Sequence, residues 1–299
     1  MIDTLRDKLV IQQIVLSHAH SYFLARGFAP IISPKIVPFK DDERGHLISV
    51  AVPQREAEEL FLSRSPQLYK EIACLHSPSG KVYEIGPVFR GEYLIPERRA
   101  NEFIGLDVEI ATDSFEELKR VLVSYIEDLQ HDPQLIRSLG TLTDSIHLPS
   151  QVIEVAYPEV LRLVGSRHLG EAEELRLSQI LARESHNTWF LVVDFPPDTR
   201  GFYQTDAQGV SQSFDLVSGW EICSGGLRRR DIVDYERLLQ QIGWSTSELG
   251  PYFKIIEKSR TNTGGFGIGL ERLIGSLTHT YDVSKVQPYC RVPGKKIEF

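Results

Sequence analysis

Two stretches of alternating character, 81–90 (KVYEIGPVFR) and 103–110 (FIGLDVEI), flank the polar, charge-rich segment GEYLIPERRANEF. Strand side chains point alternately to opposite faces, so two such runs in tandem predict an antiparallel pair. In the second run Leu106 and Val108 then share one face, and Asp107 and Glu109 share the other. The apolar face belongs against a core. Two carboxylates side by side on the opposite face need a chemical reason.

The rest of the chain builds around that pair. Asp3 or Thr4 caps a predicted helix over 4–26, whose apolar positions recur at helical period and which Arg26-Gly27 stops. Residues 28–37 are apolar but carry Pro30 and Pro34, which places this strand at an edge or an interface. A helix fits 54–75 with an interruption near Ser65-Pro66, another fits 113–130, and 150–187 reads as helical with connections. Strands are expected at 189–196, 214–223 and 264–268, with a helix from about Gly269. Antiparallel strands with helices outside them indicate an α+β fold. No domain boundary is evident; 131–187 reads at most as a small helical insertion in a single domain over 1–299.

Composition narrows the class. With 33 Lys and Arg against 41 Asp and Glu, the net charge of −8 offers no field to draw in a polyanion. The N-terminus has neither a signal-peptide core nor a transit-peptide bias, and no apolar run is long enough to span a membrane, so a cytoplasmic protein is expected. Cys74, Cys223 and Cys290 lie far apart without CxxC spacing, which predicts buried thiols rather than disulfides or zinc ligands. None of the nine His residues sits in a recognised motif, and each reads as structural.

The chain lacks the GxxxxGK[ST], GxGxxG and GxSxG patterns, so any phosphate must be held by side chains. Arg90 ends a strand, with Glu92 two residues on, and Arg272 lies in GGFGIGLERL, where glycines bring a strand close to a helix start. A guanidinium from either position presents a fork suited to phosphate oxygens. Taken singly, the first reads equally as a surface salt bridge and the second as packing.

Together, FRGE…RRANEF…LDVE and GGFGIGLERL resemble motifs 2 and 3 of class II aminoacyl-tRNA synthetases of the aspartyl/asparaginyl subgroup. Ser33-Pro34 resembles motif 1, the dimer-forming segment. The likeness continues, in the family's order, through SPQLYK, FPPDTRGFYQ, FDLVSGWEICSGGLR and VQPYCRVPG, and so covers nearly the whole chain. It implies an antiparallel sheet flanked by helices and a homodimer.

The resemblance also implies roles. Arg90 would hold the α-phosphate and substrate carboxylate, and Arg272 the γ-phosphate of a bent ATP. Arg98 and Arg99 would add cations at the phosphates, Arg99 standing where the family has His. Phe103 would stack on adenine, or else is a core Phe, and Glu92 would meet the adenine amino group or a metal. Asp215 and Glu221 match Mg²⁺ ligands, at a spacing one residue shorter than in the aspartyl enzymes; unassisted, both read as solvated carboxylates. Lys70 and Arg228 match the cations that clamp the side-chain carboxylate of aspartate, the Lys being replaced by an apolar residue in asparaginyl enzymes. Two buried cations demand an anion, so the resemblance predicts aspartate as substrate. Gln67 and Asp107 would receive the α-ammonium. Ser224 and Ser65 would line the pocket, although Ser65 equally caps a helix before Pro66.

The chain departs from a complete synthetase in two further respects. The first catalytic helix begins at residue 4, which leaves no room for an N-terminal anticodon-binding barrel, and with the acidic charge this makes tRNA an unexpected partner. FKDDERGHLIS at 39–49 is a short counterpart of the loop that closes over aspartate. The segment SGGLR at 224–228 and the ending VQPYCRVPG at 286–294 also resemble an archaeal asparagine synthetase related to asparaginyl-tRNA synthetase. The leading expectation is therefore an AMP-forming ligase joining aspartate to ammonia. If Lys70 and Arg228 clamp the β-carboxylate, however, the α-carboxylate faces ATP. A ligase passing an α-aspartyl group to tRNA, a carrier protein or a small amine is the second expectation, and a non-catalytic aspartate or ATP sensor is the third.

Overall fold

The computed structural model describes residues 4–38, 47–55, 58–91, 97–142, 148, 151–185, 189–241 and 249–296. Thr4 opens α1 (Leu5–Ala25) with a capping box: its hydroxyl accepts from the Asp7 N–H, and the Asp7 carboxylate accepts from the Thr4 N–H. The helix buries Ile11, Ile14, Val15, Tyr22 and Phe23, and the chain turns out of it at Gly27, where φ is +77°. Next come β1 (Ala29–Pro30) and a small antiparallel sheet of β2 (Ile36–Val37), β3 (Ser49–Val50) and β4 (Leu60–Leu62), with β4 in the middle.

After α2 (Gln67–His76) the predicted pair appears as β5 (Lys81–Phe89) and β6 (Glu102–Ala111), antiparallel in unbroken register from Lys81↔Ile110 to Phe89↔Glu102. Ser114 caps α3 (Phe115–Asp128), followed by α4 (Pro133–Leu142), β7 (Ile153–Ala156), α5 (Tyr157–Val164), α6 (Glu171–Ser185) and β8 (Phe190–Val193). A hairpin of β9 (Asp206–Ala207) and β10 (Val210–Ser211) precedes β11 (Ser213–Val217) and β12 (Glu221–Leu227). The described chain then runs through α7 (Ile232–Gln241), α8 (Gly250–Lys258), β13 (Thr263–Gly269), α9 (Leu270–Leu277) and α10 (Val283–Val286).

Eight strands form one sheet in the order β1-β5-β6-β13-β12-β11-β8-β7, parallel only at its two ends. The fold is α+β, with a largely antiparallel sheet flanked by helices. On one face Leu106, Val108, Ile110, Phe266 and Ile268 meet α1, α3 and α9 in the main core. On the other, α2 packs across β5, β6 and β13, with α8 against it. That second face carries Asp107 and Glu109.

Three local expectations are corrected. The stretch read as a helix over 54–75 holds β4 before α2, because Leu60-Phe61-Leu62 pairs with strands on both sides. The single strand expected at 214–223 is two strands, turned at Gly219, where φ is +76°. Ile153–Ala156, inside the stretch read as helical, adds a parallel edge strand to β8. Among the described residues no helix is long and apolar enough to cross a membrane. The thiols of Cys74, Cys223 and Cys290 are free, and the first two are buried.

Candidate active site

One cavity opens over the carboxylate face of β6, β12 and β13, roofed by α2 and bounded by α9. Lining it are Ser65, Gln67, Lys70, Arg90, Arg98, Arg99, Phe103, Asp107, Glu221, Ser224, Arg228 and Arg272, nearly every residue singled out from the sequence. Glu92 and most of the 39–49 loop lie outside the described residues.

At one end the reason for the paired carboxylates becomes plain. Lys70 Nζ, projecting from α2, donates to Asp107 Oδ1 at 2.9 Å and to the Phe266 carbonyl at 3.1 Å. Arg228 donates through Nε and Nη2 to the two oxygens of Glu109, both at 2.8 Å. All four side chains are buried, and their charges sum to zero. The expectation that Lys70 and Arg228 need a ligand anion is thus corrected: the protein supplies both counter-charges itself. Glu109 fits because its neighbour across the ladder is Gly265, where a Cβ would stand 1.9 Å from Glu109 Oε2. Gln67 Nε2 is buried without a partner among the described residues, aligned with the side of α2 that carries Lys70. Ser65 lines the cavity, and its hydroxyl accepts from the Gln67 N–H at 3.2 Å, although the cap of α2 itself is Pro66 and not Ser65.

The other end is cationic. Arg90 follows β5, and Asn101 ties it to β6 by accepting the Arg90 N–H and donating Nδ2 to the Arg90 carbonyl. The guanidinium carbon lies 5.2 Å from the centroid of the half-buried Phe103 ring, and Nε is buried without a partner among the described residues. Arg272, in the first turn of α9, donates Nη1 to the Glu221 carbonyl at 2.8 Å and Nη2 to the Arg98 carbonyl at 3.2 Å.

Sequence reasoning assigned no part to α6. Arg98 donates to the Glu171 carbonyl and to Glu174 Oε2, both at 2.6 Å, and Arg99 reaches Glu171 Oε1 at 3.0 Å through Nη2. Glu174 Oε2 also accepts from the Glu221 N–H at 3.0 Å. Burial and the neighbouring Glu221 push the Glu174 carboxyl up to about 7, against the pull of Arg98 and Arg272. The only signal for this contact was an acidic first turn on a predicted helix.

Asp215 stands apart from its expected position. Both of its oxygens accept from Arg200, at 2.7 and 2.8 Å, and Arg200 also donates to Ser224 Oγ at 2.9 Å. Asp215 opens instead into an adjoining cavity that shares Glu221 with the first. Among the described residues no group of three or more His, Cys, Asp or Glu is arranged to hold a metal. A hard cation that keeps several waters needs only one or two carboxylates, and Glu221 is the one at hand. Arg200 lay within the matched segment FPPDTRGFYQ but carried no assigned role.

The arrangement is a cleft that can hold a triphosphate against arginines and an aromatic ring at one end and a small charged molecule at the other. Comparison with known proteins identifies the family and the fold. A family model described as class II tRNA synthetases (D, K and N) matches residues 2–293. The aspartate–tRNA(Asp/Asn) ligase of Archaeoglobus fulgidus is 28% identical over 279 residues, covering 89% of this chain and 64% of that protein. The one from Thermus thermophilus is 30% identical over 290 residues, covering 91% and 66%. Among solved structures, asparaginyl-tRNA synthetase from Pyrococcus horikoshii complexed with asparaginyl-adenylate shares the fold with a TM-score of 0.87 at 20% identity, covering 98% of this chain and 70% of that one. Aspartyl tRNA synthetase from Entamoeba histolytica gives 0.81 at 23% identity, covering 98% and 59%. The chain thus spans about two thirds of its curated relatives (64% of the first) and has the class II fold. It belongs to the class II tRNA synthetases of the D, K and N group.

Proposed function

We propose that this chain activates aspartate with Mg²⁺-ATP, forming an aspartyl adenylate and releasing pyrophosphate. The observation that carries this reading is the juxtaposition in one cleft of Arg90, with its unpartnered buried Nε over Phe103, and the Lys70–Asp107 and Arg228–Glu109 pairs. An aspartate oxygen attacks the α-phosphorus, and the bond to pyrophosphate breaks. Arg90 offsets the charge growing on the α-phosphate, Arg272 holds the γ-phosphate, and Arg98 and Arg99 turn from α6 toward the triphosphate. Phe103 would stack on adenine, with Glu92 beside it. When bound, Mg²⁺ would neutralise phosphate charge. Glu221 would hold it, and Asp215 would join only on leaving Arg200. Arg228 Nη1, the nitrogen not engaged by Glu109, meets one substrate carboxylate; Gln67 and Asp107 Oδ2 take the α-ammonium; Ser65 and Ser224 complete the wall. The aspartate–tRNA ligases among the relatives support the choice of amino acid.

The proposed acceptor is ammonia and the proposed adenylate is the one on the β-carboxylate: the ammonia lone pair attacks the β-acyl carbon, the C–O bond to AMP breaks, the surplus proton on nitrogen passes to solvent, and asparagine forms. A second reading, transfer to tRNA, is favoured by the names of those relatives. A homodimer is proposed as well: Ile32 is 95% exposed and Ile36 48%, flanking Ser33-Pro34, which suits burial against a second copy. Mass spectrometry of purified protein with Mg²⁺-ATP and aspartate, run alone, with ammonium and with tRNA, tests the scheme. Ammonium-dependent asparagine with matching AMP supports the amide ligase, and aspartyl-tRNA supports the second reading. Absence of aspartate-dependent pyrophosphate defeats both.

A further inference from the structure

Behind Arg228 lies a carboxyl group that the adenylation scheme does not use. Glu71 follows Lys70 on α2 and is completely buried. Its Oε2 accepts a 2.8 Å hydrogen bond from the Tyr252 hydroxyl, which lies 3.1 Å from that of Tyr235. Its Oε1 has no hydrogen-bond donor among the described residues, and Arg230 Nη1, the cation facing it, stops 3.7 Å away. Half of this carboxylate is therefore left without the donors that burial of a charge requires.

Charged and titratable groups reach Glu71 from several elements. Its own helix brings Lys70 and Cys74, β6 brings Glu109, and the segment leaving β12 brings Arg228 and Arg230; α7 brings Tyr235 and α8 Tyr252. Burial drives the Cys74 thiol and both phenols upward, so they stay neutral near pH 7. Lys70 and Arg228 cancel Asp107 and Glu109. The sum over the cluster is then zero when Glu71 is ionised beside Arg230 and one positive charge when it is protonated. Burial first, and Glu109 second, push the Glu71 carboxyl up to about 7, opposed by Arg228, Tyr252 and Arg230.

We propose that Glu71 is a positioning residue that makes the pocket selective for a carboxylate over an amide: it takes up a proton as the substrate's carboxylate docks on Arg228, giving the floor the positive charge that the incoming anion needs. This rests on the aspartate reading, and holds for whichever carboxylate meets Arg228. The proton comes from the buffer, and no other bond changes. A neutral amide leaves Glu71 ionised and recruits no proton.

Isothermal titration calorimetry of aspartate into the full chain at pH 8, in phosphate and in Tris, with a non-hydrolysable ATP analogue present, measures the proton directly. Apparent enthalpies should differ by the uptake of about half a proton or more, and Kd should weaken by up to about tenfold per pH unit between 7.5 and 8.5. Glu71→Gln, neutral at every pH and nearly isosteric, should still bind aspartate but lose both the buffer dependence and the pH slope. A purely structural role would move the melting temperature and leave the proton count unchanged. Equal wild-type enthalpies in the two buffers, or a Glu71→Gln variant that keeps the difference, overturns the proposal while leaving the aspartate reading intact. No heat of aspartate binding to wild type overturns both.

Discussion

Arg228 and Glu109 meet edge to edge, Nε and Nη2 each 2.8 Å from a carboxylate oxygen, with Glu109 wholly buried. A fork against a carboxylate in this geometry fixes the guanidinium plane as well as its charge. The residue expected to face substrate is thus oriented by the strand beneath it, and its remaining edge can be aimed.

Breaking that pair from one side should be costly, because the survivor stays buried and uncompensated. Glu109→Ala should lower the unfolding free energy by about 3–5 kcal/mol. Urea denaturation followed by circular dichroism checks this; a loss under 1 kcal/mol would mean that the pair is exchanged for water at little cost.

Gly265→Ala tests the same pair without touching a charge. The new methyl would stand 1.9 Å from Glu109 Oε2 and 2.2 Å from the Val108 carbonyl, a backbone atom that cannot give way. Destabilisation of about 1–3 kcal/mol is expected from overpacking alone, with aspartate affinity falling further as Glu109 is pushed off Arg228. Thermal melts alongside calorimetry separate the two effects.

Arg90→Ala should slow aspartate-dependent pyrophosphate exchange by about 10²–10³ in kcat, the scale for losing one preorganised donor to a charged transition state. Arg90→Lys should recover only part, since it restores charge without the fork. Unchanged exchange in Arg90→Ala would remove this residue from the chemistry.

Glu271 gives a pH signature in stability. It is buried, accepts from the Ile104 N–H at 3.1 Å and from Gln287 Nε2 at 3.3 Å, and burial pushes its carboxyl up to about 7. The folded state therefore keeps this proton over a range where the unfolded chain, with an ordinary carboxyl near 4.5, has lost it. Stability should fall as pH rises from 4.5 to about 7 and level off above. The share from Glu271 is roughly 3 kcal/mol. Glu271→Gln should remove that share of the slope, read by urea midpoints at pH 5 and pH 7.5.

The legible parts of the fold were those with a long period and a chemical stop. The helix from Leu5 to Ala25 has its cap and its glycine, and the hairpin of β5 and β6 alternates cleanly. Short strands escaped because Leu60–Leu62 and Ile153–Ala156 are too brief to show a period, and only pairing partners remote in sequence make them strands. The site divides likewise. Lys70, Arg90, Arg228 and Arg272 sit in recognisable segments, and the cleft gathers them. Glu174, Arg200 and Glu71, which face Arg98, Asp215 and Arg230, did not stand out, because a buried counter-charge looks like any surface charge until the fold brings it within reach. The paired carboxylates of β6 showed in the strand's alternation, but their role as internal counter-ions did not.

The self-cancelling pairs leave one end of the cleft electrically neutral, while the arginines at the other leave that end with a net positive charge. Oppositely charged neighbours a few ångströms apart project almost no field beyond a Debye length of about 8 Å. At the other end Arg98 and Arg99 are paired with Glu174 and Glu171 in the same way, but Arg90 and Arg272 form no ion pair among the described residues and do project one, inside a chain whose overall charge is −8. A triphosphate is therefore sensed at a distance and turned phosphates-first, whereas an amino acid is recognised only on contact. Ionic strength should then alter the rate at which nucleotide arrives far more than the rate at which the amino acid does.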